Sequence, residues 1–442
     1  METKTSKKSP EVDDIWYYWL HMAPRKKTKG RYMAAYKALT DYLRIFARLL
    51  RRQRRKTNAS HFDLNAKLIV ATKSDNHHAV YESLRDKLDV TKTYLFKKTD
   101  FGLWPEFRQE SVPRSRMASA LFKIVRYDFK AGLNSLAETP GRNKLFDVYL
   151  QYFQVLSLLK KSNARAIILF NDHMPLFRAI RFASEQARIK TIYIPHASVS
   201  SRFPELNFDI SLLESEVMRD TYDAATQHRD KVYVIGNLKI ASHRQAKANS
   251  EHSAIVPRGI KIGLAFNSLD AVEKVETIVE GLLDAFLLNQ DLCSAKIVVR
   301  KHPADKRRLG VTNERLSLSE AETSLQFLSE LDLLLVSNSN IALEALLLNI
   351  PVIHYRTAES ELDDNYGFVK NGLLEAPVQD VSCLIQKIKK TIRKDRRIEP
   401  SAEKALSRYD AGRSAERPGQ PIESAIAIIN SCLKSMEELG NG

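Results

Sequence analysis

The tetrapeptide Ser337-Asn338-Ser339-Asn340 precedes an apolar run, Ile341 to Leu348, that carries one carboxylate, Glu344. Hydroxyls and amides at a helix start accept hydrogen bonds from orphan backbone N–H groups, and an early acid suits the helix dipole, so capping accounts for the pattern. The same stretch also has the makings of a phosphate site, because a helix N-terminus aims N–H donors at an approaching anion. Polar residues collect in the same way after other apolar runs. They are Asn171-Asp172-His173 after RAIILF, Pro195-His196-Ala197-Ser198 after KTIYI, and Asn237 after KVYVIG. Asn267-Ser268 follow IKIGLAF, and Lys301-His302-Pro303 follow KIVVR with Arg300 just before. In open parallel sheets ligands bind beyond the carboxyl ends of the strands, which is where these clusters fall. A single histidine after a strand more often serves structure than chemistry. The five of these clusters that hold more than one residue can face one cleft and form a candidate site.

The elements that must position these residues alternate. KLIVAT (67–72) reads as a buried strand, followed by the polar loop KSDNHH and a helix from Ala79 to Leu88. KTYLFK (92–97) is a second strand, and helices follow over 116–129 and 145–160. RAIILF, KTIYI, FDISLL (208–213) and KVYVIG (231–236) continue the series. A second series runs through IKIGLAF (260–266), a helix over 271–288, KIVVRK (296–301), a helix near 320–330, LDLLLV (331–336) and PVIHY (351–355). Near-continuous apolar strands alternating with helices predict parallel sheets covered on both faces. The fold class is therefore α/β, with two doubly wound Rossmann-like domains facing a cleft. Boundaries are set at 1–60 for a basic N-terminal extension, 61–240 and 259–420 for the two domains, and 421–442 for a helix crossing back. Asn237 to Arg258 is polar and unpatterned and is taken as the interdomain linker.

Composition narrows the function class. The chain has 442 residues, enough for two domains, and its 44% apolar share is ordinary for a globular protein. No apolar run is long enough to span a bilayer. The N-terminal stretch, 1–24, lacks the apolar region and cleavage site of a signal peptide. Cys293, Cys383 and Cys432 stand far apart, against a disulfide framework or metal knuckle, so the cytoplasm is the expected compartment.

Net charge is +16, of which residues 25–56 supply +12, with thirteen Lys and Arg against Asp41. Within that segment Tyr32, Tyr36, Leu39, Leu43, Phe46 and Leu50 recur at helical spacing, with Lys37, Arg44, Arg48, Arg51 and Arg55 mostly on the other side. A basic amphipathic helix of this kind fits an anionic membrane leaflet, where each basic residue near the surface adds about 1 kcal/mol. The bland reading is a helix packed on its own domain with a solvated basic face. No base-stacking module or zinc motif accompanies the charge, so nucleic acid is not an expected partner.

RKHP (300–303), followed about thirty residues later by SNSNIALEALLLNIPVIHY, resembles the carboxyl-terminal half of bacterial GT-B glycosyltransferases that build capsules and other surface polysaccharides. IPHAS (194–198), preceded by FNDH (170–173), looks like their acceptor-side loops. The wider group includes Kdo transferases, polysialyltransferase-like enzymes and CDP-glycerol glycerophosphotransferases. UDP-N-acetylglucosamine 2-epimerases share the fold. The likeness covers 165–377.

The resemblance implies transfer of a sugar from a CMP-, UDP- or CDP-linked donor to a growing capsule, O-antigen or lipooligosaccharide. The basic helix within 25–56, read as a membrane anchor, separately sets the expected placement as peripheral on the inner face of the plasma membrane. The alternatives are a 2-epimerase-like enzyme, a CDP-polyol phosphotransferase, and a non-catalytic glycan- or nucleotide-binding protein. Such a donor leaves as a phosphate-bearing anion, and one well-placed group aimed at that charge is worth about 3–4 kcal/mol. Arg300, His302, Asn267, Ser268, Ser337, Asn338 and Ser339 are the donor-side candidates, with Glu344 accepting hydrogen bonds from ribose hydroxyls. The attacking hydroxyl needs a base near the working pH, and Asp172 and His196 are the two candidates, flanked by Asn171, His173 and Ser198 on the acceptor side. No DxD motif follows a strand, so neither metal nor cofactor is expected.

Overall fold

A computed structural model describes residues 11, 31–50, 63–89, 93–96, 112–131, 142–200, 202–223, 231–249, 259–266, 270–302, 305, 307–337, 339–356, 364, 366–393, 398, 400–414 and 417–440. The first half contains α1 (Arg31–Leu50), β1 (Leu68–Ala71), α2 (Asp75–Arg85), β2 (Thr93–Phe96), α3 (Arg114–Ala131), α4 (Arg142–Lys161), β3 (Ala166–Leu169) and α5 (Pro175–Ala187). It continues with β4 (Lys190–Tyr193), β5 (Ile210–Leu213), α6 (Glu216–Asp223), β6 (Val232–Val234) and α7 (Leu238–Asn249). The second half runs β7 (Lys261–Phe266), α8 (Val272–Leu288), β8 (Lys296–Lys301), β9 (Leu316–Leu318), α9 (Ser324–Ser329), β10 (Leu333–Val336), α10 (Ile341–Leu347) and β11 (Val352–His354). It ends with α11 (Val381–Arg393), α12 (Pro400–Tyr409) and α13 (Gln420–Gly440).

The strands form two parallel sheets, ordered β2-β1-β3-β4-β5-β6 and β11-β10-β7-β8-β9. Strand β1 shows why. All four of its residues are buried, and the period-two alternation sends Ile69 and Ala71 into one core and Leu68 and Val70 into another. The first core holds α1, α3, α4, α5 and α6, and the second holds α2, α7 and α13. The second sheet is covered in the same manner, by α8 and α11 on one face and by α9, α10 and α12 on the other. The two doubly wound Rossmann-like units read from the alternating pattern are present.

Helix α1 is tied to the first unit by a buried polar cluster. Arg142, 1% exposed, is paired with Asp128, which also accepts from the Tyr42 hydroxyl. Asp41 accepts from the Arg142 backbone N–H at 2.9 Å and from Asn143 Nδ2 at 2.6 Å.

Two expectations change. Half of the stretch read as a linker is α7, capped by Asn237 Oδ1, which accepts from the Ile240 N–H at 3.0 Å. Leu238, Ile240 and Ala241 are its buried anchors, too few to show helical periodicity against the polar remainder. The loop KSDNHH is largely the first turn of α2, where Ser74 Oγ accepts from the His77 N–H at 3.3 Å. Among the described residues, no helix is long and apolar enough to cross a membrane.

Candidate functional site

The loops beyond the strand ends of the two sheets touch. The Ser198 N–H, after β4, donates to Asn340 Oδ1, after β10, at 3.0 Å. Asn340 sits at the cap of α10 but makes no side-chain cap bond to that helix. The capping expected of the SNSN stretch is therefore absent at this residue, whose amide is used across the junction instead.

Around Asp172 the geometry is specific. The residue is 3% exposed, with Oδ1 2.8 Å from His173 Nδ1 and Oδ2 accepting from the Tyr222 hydroxyl at 2.6 Å. The Tyr193 hydroxyl lies 3.2 Å from that of Tyr222, and burial, reinforced by Asp172, holds both phenols well above their ordinary range. Tyr222 thus stays a donor, and Asp172 is occupied on both oxygens. A carboxylate at Nδ1 fixes one tautomer and ring orientation, leaving Nε2 as the basic atom of His173. Asn171 Nδ2 stands 3.5 Å from that atom. The ring also packs against Phe203, with centroids 4.3 Å apart. Asn171 Oδ1 accepts from the N–H groups of His173 and Met174 at 3.1 and 2.7 Å and shapes the turn into α5.

His196 is built differently. Its Nδ1 lies 2.6 Å from the Phe170 carbonyl and, as an N–H donor, leaves Nε2 unprotonated. Burial depresses the imidazole to about 4, against the pull of that carbonyl, and Lys239 and His173 add to the depression. At neutral pH it is an uncharged ring and a weak proton acceptor. His77 packs on it edge-to-face at 4.3 Å, and burial holds His77 well below its ordinary range too.

On the second unit, His302 follows β8 and is exposed, and its backbone N–H donates to the Phe266 carbonyl at 2.9 Å. Arg300 Nη1 donates to the Ala321 carbonyl at 2.7 Å and its guanidinium lies over the Phe327 ring, while Lys301 Nζ donates to the Arg307 carbonyl at 2.9 Å. Ser337 is buried and Ser339 half-buried. Strand β7 lies between β8 and β10, so the backbones of His302 and Ser337 stand two strand spacings, about 10 Å, apart. Asn267, Ser268, Asn338 and Pro303 lie outside the described residues.

Glu344 is 4% exposed and forms an ion pair with Lys239, Nζ to Oε1 2.5 Å. Burial alone would raise this carboxyl, but Lys239 holds it below its ordinary value, with Ser324 and Arg300 assisting. Beside the pair, burial pushes the Glu214 carboxyl up to about 8 even though Lys239 opposes the shift. Asp410, 1% exposed, accepts from the Asn237 and Gly412 N–H groups, both at 2.9 Å, and from Arg244 at 3.3 Å. Arg244 also donates to the Leu347 carbonyl at the end of α10.

Lys239, Glu214, Tyr222 and His77 were not among the sequence candidates. Glu214 and His77 had a signal, since Glu214 directly follows the strand FDISLL and His77 lies in KSDNHH after KLIVAT; Lys239 and Tyr222 are joined to the site through contacts between distant segments.

No family model and no curated protein matches the chain. Solved structures do align. The complex of S. aureus MnaA with UDP superposes at TM-score 0.53 and 12% identity, over 84% of this chain and 97% of its own. A putative UDP-N-acetylglucosamine 2-epimerase from Listeria monocytogenes superposes at 0.52 and 13% identity, over 83% and 96%. The glycosyltransferase SnogD from Streptomyces nogalater aligns at 0.45 and 12% identity, over 83% and 100%. What the chain shares with the first two of these structures is the GT-B fold of two Rossmann-like units.

Proposed function

We propose that the chain is a metal-independent GT-B glycosyltransferase moving a sugar from a CMP-, UDP- or CDP-linked donor to a growing surface glycan. The observation that carries this reading is the Asp172–His173 dyad, with Tyr222 on the far carboxylate oxygen, beyond a strand end of the first sheet. In the reaction an acceptor hydroxyl passes its proton to His173 Nε2 while its oxygen bonds to the anomeric carbon of the donor sugar. The bond from that carbon to the donor phosphate breaks, and the nucleotide leaves with the electron pair. Asp172 stabilises the imidazolium that forms, and positioned proton transfer of this kind contributes typically about 10²–10⁴-fold in rate.

The choice between Asp172 and His196 as base shifts to His173 in this reading. Asp172 becomes its orienting partner, because both carboxylate oxygens are engaged. His196, depressed to about 4, serves as a neutral hydrogen-bonding ring against substrate or loop. His302, Ser337 and Ser339 hold the donor phosphate, and Asn267, Ser268 and Asn338 stay donor-side candidates by sequence. Glu344, kept ionised by Lys239, meets the ribose. Arg300 supports the loop at Ala321 rather than touching the donor, since its guanidinium is bound to that carbonyl.

The test is nucleotide release. The protein is incubated with CMP-, UDP- and CDP-linked donors, with and without acceptor glycan and in the presence of EDTA. Acceptor-dependent release of free nucleotide, lost in His173→Ala, is the expected result; no release from any donor overturns the proposal.

A second reading, epimerisation of a nucleotide sugar, is favoured by the superposition on 2-epimerase structures. It requires proton exchange at a sugar carbon. Deuterium entering UDP-N-acetylglucosamine in D2O without acceptor would select it.

A further inference from the structure

Helix α1 has two apolar faces. Ala38 and Ile45 are buried with Asp41, and Tyr42 is half-buried beside them. Leu39, Leu43 and Phe46 point the other way, at 58%, 59% and 54% exposure. Their spacing of i, i+4 and i+7 places them on one stripe, roughly a third of a turn from the buried face. Lys37 and Arg44, exposed and seven positions apart, lie on the remaining sector. The helix therefore divides around its axis into an inward apolar face, an outward apolar stripe and a basic flank. Its rotation is fixed, because Asp41 and Tyr42 are bonded into the Arg142–Asp128 cluster. The outward stripe cannot turn inward without breaking those buried bonds. The neighbouring helix α3 likewise leaves Phe122 66% and Val125 45% exposed.

Single exposed apolar residues are normal on soluble proteins, but an aligned set on one helix marks an interaction surface. We propose that the outward stripe of α1, with its Lys37–Arg44 flank, docks this protein on an anionic lipid bilayer. The charge around it selects that occupant. Residues 25–56 carry thirteen basic residues against one acid, so a second copy would bring like charges together, whereas an anionic leaflet neutralises them. Leu39, Leu43 and Phe46 enter the interface while the basic flank meets the headgroups, the arrangement of an interfacial helix that lies on a membrane without crossing it. The inward face stays on the domain throughout, so docking requires no unfolding. This surface is independent of the chemistry proposed above.

The test is co-sedimentation of the full chain with phosphatidylcholine vesicles, with and without phosphatidylglycerol. The wild type is expected to sediment with the anionic vesicles and to be released by salt. Leu39→Ser/Leu43→Ser/Phe46→Ser should weaken the association on the order of tenfold or more while the chain still melts cooperatively as a folded protein, as more than half of each side chain is exposed. Lys37→Glu/Arg44→Glu should weaken binding selectively to anionic vesicles. Sedimentation of the triple variant equal to wild type overturns the proposal, as does a wild type that ignores both vesicle types. A wild-type dimer that the triple substitution dissociates overturns it as well, by making a second copy the occupant.

Discussion

The Lys239 ammonium and the Glu344 carboxylate, one on α7 and the other on α10, lie 2.5 Å apart with both side chains 5% exposed. The pair joins the helix that leaves the first sheet to the helix that follows β10 in the second. Around it stand Glu214, Asp410 and Arg300, so the junction between the two units is both charged and largely buried.

Removing one partner leaves the other charge buried and unpaired. Lys239→Met or Glu344→Leu should each cost about 3–5 kcal/mol, whereas Lys239→Met/Glu344→Leu should recover most of the loss. A double-mutant cycle by chemical denaturation measures this. Additive losses would show that the two charges are not coupled.

Glu214 gives the junction a pH dependence. Its carboxyl is raised to about 8 in the folded chain from 4.5, so the folded state holds a proton that the unfolded state has released. That contribution is fully present below about 4.5 and declines as pH rises toward 8, since stability falls with pH where the folded state binds more protons. Glu214→Gln removes the titration. Its melting temperature relative to wild type should therefore climb between about pH 5 and 8 in paired thermal scans.

If His173 is the base, His173→Ala and Asp172→Asn should each lower kcat by about 10²–10⁴-fold with an intact fold. Tyr222→Phe should lower it less, because Asp172 keeps its bond to His173. His196→Asn should instead act on substrate binding more than on the pH profile, as the ring is already neutral. Steady-state kinetics across pH separates these outcomes.

Gly236 holds the approach of the C-terminal segment to the first unit. Its φ is +102°, and an added Cβ would stand 2.5 Å from the Gly412 nitrogen. Gly236→Ala should destabilise the chain by roughly 1–3 kcal/mol from backbone strain alone, with a further loss from the displaced Asp410 contacts. Calorimetry of the variant checks this.

The sheets were legible because their strands are short continuous apolar runs, so LIVA, AIIL and LLLV are recognisable without any partner. The polar clusters after them were legible for the same reason. What sequence concealed were the pairings. His173 and His196 are one residue type after neighbouring strands, and only Tyr222, 50 positions from Asp172, shows which imidazole has an anchored carboxylate behind it. Lys239 was hidden in a stretch that looked like a linker because its helix has few apolar anchors. Leu39, Leu43 and Phe46 recur at helical spacing, which marks an apolar face but does not say whether a protein core covers it.

Helix α13 has a consequence for how the chain is made. Its residues Ile422, Ala425, Ile429 and Cys432 complete a core that begins with Leu68 and Val70 on β1. During synthesis that face of the first sheet emerges early and is covered only by α2 and α7 while the whole second unit is produced. The second unit can close its own two cores before the first is finished. The order in which the cores close is thus not the order of the chain, and the first core made is the last completed.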